Sequence, residues 1–199
     1  NEAVALHNII AFQGHCDDVG LALRPHIKTH KSIRFAKAQV AAGAIGITCQ
    51  KISEAEAMVD TGIDDILITF NLIGAEKLDR LRVLSSRLSA LSVVADNAEV
   101  IQGLGQAFEG AQRPLSILVE CDTGAGRCGV QTPRAALELA EKISHTSSLI
   151  FGGLMTYPAA NGAKNAAHFM RKTKRLLDAK GIACPAISSG GSPDMWTAT

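Results

Sequence analysis

The chain has 199 residues, of which 47% are hydrophobic and 20% are charged, the composition of an ordinary soluble globular domain. Its 20 Lys and Arg residues against 19 Asp and Glu residues give a formal net charge of +1, which excludes the strong positive field of a protein that binds nucleic acid or an anionic membrane. No apolar run approaches the roughly 20 residues of a membrane span, and the first residues lack the pattern of a signal peptide. We therefore expect a cytoplasmic protein with a small-molecule ligand and with neither a nucleic-acid nor a membrane partner.

Predicted strands and helices alternate along the whole chain after a first helix at residues 2–20. The predicted strands are short runs, most of them apolar: 23–28, 44–48, 65–69, 91–95, 115–121, 149–155 and 185–188. The predicted helices are amphipathic stretches: 33–42, 53–61, 75–85, 98–108, 133–144 and 165–180. Such an alternation predicts an α/β fold in which helices cover a parallel sheet.

The first predicted strand favours a closed barrel over an open sheet. Its residues alternate between an apolar and a polar face: Leu23, Pro25 and Ile27 on the first, Arg24, His26 and Lys28 on the second. A polar inner face fits a (β/α)8 barrel of the TIM type. Because only about seven strands are visible, we predict that residues 1–199 form one incomplete barrel domain.

Lys28 stands at the end of this first predicted strand. Catalytic groups of barrels gather where strands end, so the position suggests a lysine that forms a Schiff base. The competing interpretation is a solvated edge strand in which Lys28, Lys31 and the two histidines of the segment have no chemical role.

Polar residues also follow the later strands. The fifth strand leads into a glycine-rich loop with Glu120, Asp122 and Arg127, and the sixth ends next to Tyr157. Residues 188–193, SSGGSP, offer converging N–H groups and hydroxyls, the composition of an anion-binding turn. Each of these segments could instead be an ordinary turn. The five cysteines lack the spacing of metal ligands, and no metal site is predicted.

A lysine, an arginine, a tyrosine and an anion-binding turn at successive strand ends are together what pyridoxal phosphate requires of a protein. Four segments carry a specific resemblance: RPHIKTHK at 24–31, EAEAM at 54–58, RCGV at 127–130 and SSGGSPDMW at 188–196. In kind and order they resemble the D-threonine aldolase and D-serine dehydratase family, which belongs to the alanine-racemase-like pyridoxal phosphate enzymes of fold type III.

The resemblance implies that Lys28 is the catalytic residue that binds the cofactor, with Lys31 a bystander. It also implies a set of cofactor-binding residues: Lys28, His26, Gln50, Arg127, Tyr157, Ser189, Gly190, Gly191 and Ser192. We further expect Lys28 to be buried beside Arg24 or Arg127, because burial and a positive neighbour favour a neutral amine.

The same resemblance implies a barrel of the alanine racemase N-terminal domain type. Family members continue into an eighth strand and a C-terminal β-domain that carries divalent-metal ligands, and we expect both to be absent from this chain. The implied function is retro-aldol cleavage of a small D-β-hydroxy amino acid, with the full-length protein a homodimer. Dehydration of D-serine, racemisation and non-catalytic carriage of pyridoxal phosphate stay open as alternatives.

Overall fold

A computed structural model describes residues 1–198 and confirms the predicted α/β fold. Its helices are α1 (Glu2–Asp18), α2 (Ile33–Ala41), α3 (Ile52–Val59), α4 (Ala75–Ser86), α5 (Ala98–Ala107), α6 (Pro133–Ser144) and α7 (Ala163–Ala179). Its strands are β1 (Ile47–Cys49), β2 (Asp65–Ile68), β3 (Ala90–Ala95), β4 (Leu115–Cys121), β5 (Leu149–Thr156) and β6 (Ile187–Ser189). Two short 3-10 helices lie at Ile27–Thr29 and Met195–Thr197.

The chain divides into two compact units. The first contains residues 1–69 and 83–91, and the second contains residues 70–82 and 92–198. Helix α4 and strand β3 therefore contribute residues to both units. Within residues 1–198, no helix combines the length and the apolar character that crossing a membrane requires.

In the first unit, β1 and β2 form a parallel pair in which Ile47 lies opposite Ile66. Both side chains are fully buried, as expected for short apolar strands that are covered on both faces. Helix α2 begins after Ser32, whose hydroxyl accepts the N–H of Phe35. A side-chain acceptor at this position satisfies one of the free N–H groups of the first helical turn.

The prediction of a first strand at residues 23–28 is wrong. Its pairing with β1 is limited to an isolated parallel bridge between His26 and Thr48, with the N–H of Thr48 donating to the carbonyl of Pro25 over 2.8 Å. Pro25 has no backbone N–H, so it cannot donate a hydrogen bond that would continue the pairing of two strands. The chain then turns into the 3-10 helix Ile27–Thr29, so the described residues contain six strands rather than seven.

In the second unit, β3 to β6 pair in parallel and in chain order. Close approach of β5 to the chain before β6 depends on Gly153, which has a φ of 125°. A Cβ at this position would lie 2.0 Å from the carbonyl oxygen of Ala186. Only glycine adopts this backbone conformation freely and leaves that space empty.

The carboxyl ends of the last three strands lie side by side. Cys121 of β4 is opposite Thr156 of β5, and Thr156 is opposite Ser189 of β6. In parallel sheets all strands end at the same edge, so the residues that follow each of them are brought together. Most of the predicted cofactor-binding residues of the second unit follow these three ends.

Candidate functional site

In the first unit, His26 holds the short helix that carries Lys28. The His26 ring accepts the backbone N–H of Lys28 at Nδ1 over 3.2 Å, and its Nε2 lies 3.4 Å from the hydroxyl oxygen of Thr69. Because a backbone N–H can only donate, the proton of the neutral ring belongs on Nε2 and is donated to Thr69. Burial, together with the charge of Lys28, lowers the pKa of His26 to about 4, so the ring is neutral near pH 7.

The second lysine of the segment, Lys31, is committed to an ion pair. Its Nζ lies 3.2 Å from Oε1 of Glu54, which is only 8% exposed. The other carboxylate oxygen of Glu54 accepts the backbone N–H of Gln50 over 2.8 Å. Burial raises the pKa of Glu54, but the N–H of Gln50 and the charge of Lys31 outweigh it and leave that pKa lowered. Lys31, for which the sequence predicts the role of a bystander, is therefore held by Glu54 in this segment.

Lys28 itself is exposed, so the expectation of burial beside Arg24 or Arg127 is wrong. Ile27 occupies the buried position at the start of the 3-10 helix, with no exposed surface, and the next side chain is directed to the solvent. Arg24 has a different partner, since its guanidinium donates two hydrogen bonds of 2.9 and 2.8 Å to the carboxylate of Asp65.

In the second unit, the turn after β6 packs on the residues that end β5. The N–H of Gly190 donates to the carbonyl of Thr156 over 3.0 Å, so this amide shapes the turn. A Cβ at Gly190 would lie 3.3 Å from Cδ2 of Tyr157, and glycine therefore lets the turn approach the ring. Ser189 and Ser192 flank this glycine turn and are exposed.

Arg127 joins the same part of the second unit. Its guanidinium carbon lies 4.7 Å from the centre of the Tyr157 ring, within the range of a cation–π contact. Arg127 is exposed, and it projects from the loop of residues 122–129 that follows β4. The structure therefore brings together the arginine, the tyrosine and the glycine turn that the sequence predicted separately.

Polar contacts also join the ends of β4 and β5 to the loop of residues 122–129. The hydroxyls of Thr123 and Thr156 are 2.8 Å apart, and both residues are buried. The thiol of Cys128 donates to Oε1 of Glu120 over 3.0 Å. Glu120 is 5% exposed, and its burial raises its pKa despite the opposing effects of Cys128 and Arg127. These contacts connect the ends of β4 and β5 to the loop that carries Arg127.

Two carboxylates of the structure, Glu54 and Asp96, were assigned no role by the sequence analysis. Glu54 lies within the segment EAEAM, but nothing in that segment shows that the carboxylate reaches Lys31. Asp96 directly follows β3, a position that marks it as a site candidate in a parallel sheet. Its carboxylate accepts the side-chain amide of Asn71 over 2.7 Å and the N–H of Gly129 over 3.0 Å.

The chemistry of these groups fits pyridoxal phosphate. In the first unit, Lys28 carries a primary amine, the group that forms an imine with an aldehyde, and Lys31 of the same segment is paired with Glu54. In the second unit, Arg127, the hydroxyls of Ser189 and Ser192 and the amides of Gly191 and Ser192 are donors for anionic oxygens, and the turn at Gly190 leaves the space that a Cβ would fill beside Tyr157. An anion at such a glycine and serine turn is stabilised by backbone N–H groups and hydroxyls.

Known proteins resemble this chain over nearly its whole length. Residues 2–198 match the family model described as "Alanine racemase, N-terminal domain". D-threonine aldolase from Arthrobacter sp is 38% identical over 196 residues, covering 93% of this chain and 52% of that protein. D-threo-3-hydroxyaspartate dehydratase from Delftia sp. (strain HT23) is 30% identical over 198 residues, covering 94% of this chain and 52% of the relative.

Among solved structures, the crystal structure of D-threonine aldolase from Filomicrobium marinum superposes with a TM-score of 0.89 at 31% identity. The match covers 96% of this chain and 54% of that structure. The predicted fold class, an alanine-racemase-like TIM barrel, is thereby confirmed. The chain spans about half the length of the relatives that it matches.

Proposed function

Because this chain belongs to the alanine racemase N-terminal domain family, we propose that it is the barrel portion of a pyridoxal-phosphate-dependent lyase. Its substrate class is small D-amino acids with a β-hydroxyl group, and its reaction is cleavage of the Cα–Cβ bond of the D-threonine aldolase type. The observation that carries the proposal is the position of Lys28 in a short 3-10 turn, where the ring of His26 accepts its backbone N–H, at the residue that the family resemblance marks as the cofactor lysine.

Pyridoxal phosphate, when bound, supplies an aldehyde that reacts with amines and a ring that withdraws electrons from the substrate Cα. Lys28 would hold the cofactor covalently through Nζ. His26 fixes the backbone of Lys28, because its Nδ1 accepts the N–H of that residue. The amine must lose its proton before it can act as a nucleophile.

The remaining residues bind and orient. Arg127 and Tyr157 would bind polar atoms of the cofactor ring, and Ser189, Gly191 and Ser192 would donate hydrogen bonds to its phosphate group. Gly190 contributes the shape of the turn, because its own N–H is bonded to Thr156. Gln50 directly follows β1, where its side chain can line the cofactor-binding region of the first unit.

A test of this proposal replaces the two lysines one at a time. In Lys28→Ala the absorbance band of the covalently bound cofactor should disappear, whereas Lys31→Ala should retain it. Borohydride reduction followed by peptide mass analysis should locate the cofactor on Lys28 in the unmodified protein. A cofactor found on Lys31, or a band that persists in Lys28→Ala, would contradict the assignment.

A second candidate reaction is β-elimination of water from a D-β-hydroxy amino acid. Similarity to the Delftia dehydratase favours it, because that protein matches nearly the whole chain. Product analysis with D-threonine and D-serine separates the candidates. Acetaldehyde and glycine support the aldolase, an oxoacid and ammonia support the dehydratase, and the L-enantiomer would indicate a racemase. Binding of pyridoxal phosphate without turnover of either substrate would indicate a carrier.

A further inference from the structure

The loop of residues 122–129, which carries Arg127, is fixed on the side that precedes the arginine by one carboxylate. Oδ1 of Asp122 accepts the backbone N–H groups of Gly124, Ala125 and Gly126 over 2.9, 2.9 and 3.1 Å. Partial burial raises the pKa of Asp122, but these N–H donors outweigh it and leave that pKa lowered. The carboxylate thus binds the N–H groups of three consecutive residues, and the last of them, Gly126, directly precedes Arg127.

The side of the loop that follows Arg127 is fixed by a second carboxylate. Oδ2 of Asp96 accepts the N–H of Gly129 over 3.0 Å, while its Oδ1 accepts the side-chain amides of Asn71 and Asn97 over 2.7 and 2.9 Å. Asp96 therefore links the end of β3 to the loop after β4. A carboxylate that accepts three donors is a rigid support, because charge-assisted hydrogen bonds are shorter and stronger than neutral ones.

The base of the loop is closed by backbone bonds. The N–H of Asp122 donates to the carbonyl of Val130 over 3.0 Å, and the N–H of Val130 donates to the carbonyl of Glu120 over 2.9 Å. Gly129 fits against this base with a φ of 107°, and a Cβ there would lie 2.5 Å from the backbone nitrogen of Asp122. The loop is consequently pinned at its base and on both flanks of Arg127.

We propose that Asp122 and Asp96 are positioning residues for Arg127, holding the loop in the conformation that keeps the guanidinium over the ring of Tyr157. The two carboxylates act through the backbone of the loop. The consequence for cofactor binding rests on the function proposed above, whereas the geometric statement about Arg127 and Tyr157 stands without it.

The chain offers a specific probe, since Tyr157 is its only tyrosine. NMR signals of isotope-labelled tyrosine, assigned by their loss in Tyr157→Phe, report on the ring beneath Arg127. Arg127→Ala defines the shift that follows loss of the guanidinium. Asp122→Ala should shift the signals in the same direction, and Asp122→Asn should restore most of the original position, because its amide oxygen can accept the same three N–H groups.

Gln131→Ala is the matched control. The side-chain amide of Gln131 donates to Oδ2 of Asp122 over 3.2 Å and to the carbonyl of Gly129 over 3.0 Å, but the variant leaves in place the N–H groups that Asp122 and Asp96 hold, so its Tyr157 signals should stay close to those of the unmodified protein. Asp96→Ala should act like Asp122→Ala. If Asp122→Ala does not fold, Asp122→Ser replaces it in the experiment. The shift of the Tyr157 signals should then be smaller, because the serine hydroxyl is an acceptor on a shorter side chain.

A second readout is affinity for pyridoxal phosphate, which should weaken about tenfold in both Arg127→Ala and Asp122→Ala and recover in Asp122→Asn. A folded Asp122→Ala protein with unchanged Tyr157 signals would overturn the positioning role, as would an Asp122→Asn protein as perturbed as Asp122→Ala. Persistence of the cofactor band in Lys28→Ala would instead overturn the proposed function and leave the Tyr157 result intact.

Discussion

The turn of residues 26–28 in the first unit and the loop of residues 122–129 in the second each carry one cation of the proposed site, but different groups accept their backbone N–H groups. A neutral imidazole supports the turn of Lys28, whereas carboxylates support the loop of Arg127. A lysine that reacts must be able to lose its proton, and a carboxylate close to it would oppose that loss. A guanidinium is charged at every working pH, so the carboxylates that shape its loop do not compromise its function.

The largest expected effect comes from Gly129→Ala, which tests how tightly the second loop is built. The new Cβ would lie 2.5 Å from the backbone nitrogen of Asp122, at a φ of 107°. Overpacking and an unfavourable φ together should lower the free energy of unfolding by about 3 kcal/mol. Chemical denaturation of the variant and of the unmodified protein measures the difference.

Gly124→Ala is the matched control in the same loop. Gly124 has a φ of 117°, but no atom lies within 4 Å of the position that its Cβ would occupy. This variant should therefore lose only the conformational part, about 1 kcal/mol. Equal losses in the two variants would show that backbone strain, and not the close approach to Asp122, decides the stability of the loop.

A smaller effect is expected from Glu54→Ala in the first unit. The variant removes the acceptor of the Gln50 N–H and the partner of Lys31, leaving a polar group at a buried position without its bond. We expect the free energy of unfolding to fall by about 2 kcal/mol. Glu54→Gln keeps an acceptor for Gln50 and should lose only about half as much.

Thermal or urea unfolding of both Glu54 variants checks this expectation. Equal losses would show that the charge pair with Lys31, rather than the hydrogen bond to Gln50, stabilises this part of the unit. No loss in either variant would show that the Glu54 carboxylate does not stabilise this part of the unit.

The regular elements of the second unit could be predicted almost to the residue. Strand β4 (Leu115–Cys121) and helix α6 (Pro133–Ser144) have the bounds that the sequence indicated. The strand is a mostly apolar run with three consecutive aliphatic residues at its centre, and the helix has Thr132 as its N-cap, with Pro133 following in the first turn. Local pattern and local chemistry agree in both elements, which is why sequence alone sufficed.

The supports of the candidate site could not be predicted in the same way. Segment 23–28 alternates like a strand, but Pro25 cannot donate and His26 captures the N–H of Lys28, so the chain turns instead. Asp96 and Gly129 are 33 residues apart, and their hydrogen bond exists only because neighbouring parallel strands end at one edge. Sequence identifies the type of residue at such an edge, whereas the fold decides its partner.

The most subtle expected difference between the two regions is their response to acid. Burial and the charge of Lys28 lower the pKa of His26 from 6.5 to about 4 in the folded protein. Since the folded pKa lies below the unfolded one, the stability that neutral His26 contributes is complete above pH 6.5. It is lost as the pH falls from about 6.5 to 4. The lowered pKa of Asp122 shifts its own contribution to a more acid range, beginning near its ordinary value of 3.8.

His26→Asn isolates the effect of this titration, because the asparagine side-chain oxygen can accept the N–H of Lys28 and asparagine stays uncharged at every pH of the experiment. Between pH 7 and pH 4.5 the unmodified protein should lose about 1 kcal/mol relative to His26→Asn, a figure reduced for the partial exposure of the ring. In His26→Phe, which has no acceptor, the Lys28 amide hydrogen should exchange with solvent faster at pH 7. In His26→Asn its exchange should stay slow. Parallel pH profiles for the unmodified protein and His26→Asn would mean that the imidazole is not kept neutral by the fold, and the contrast between a neutral and an anionic support would then disappear.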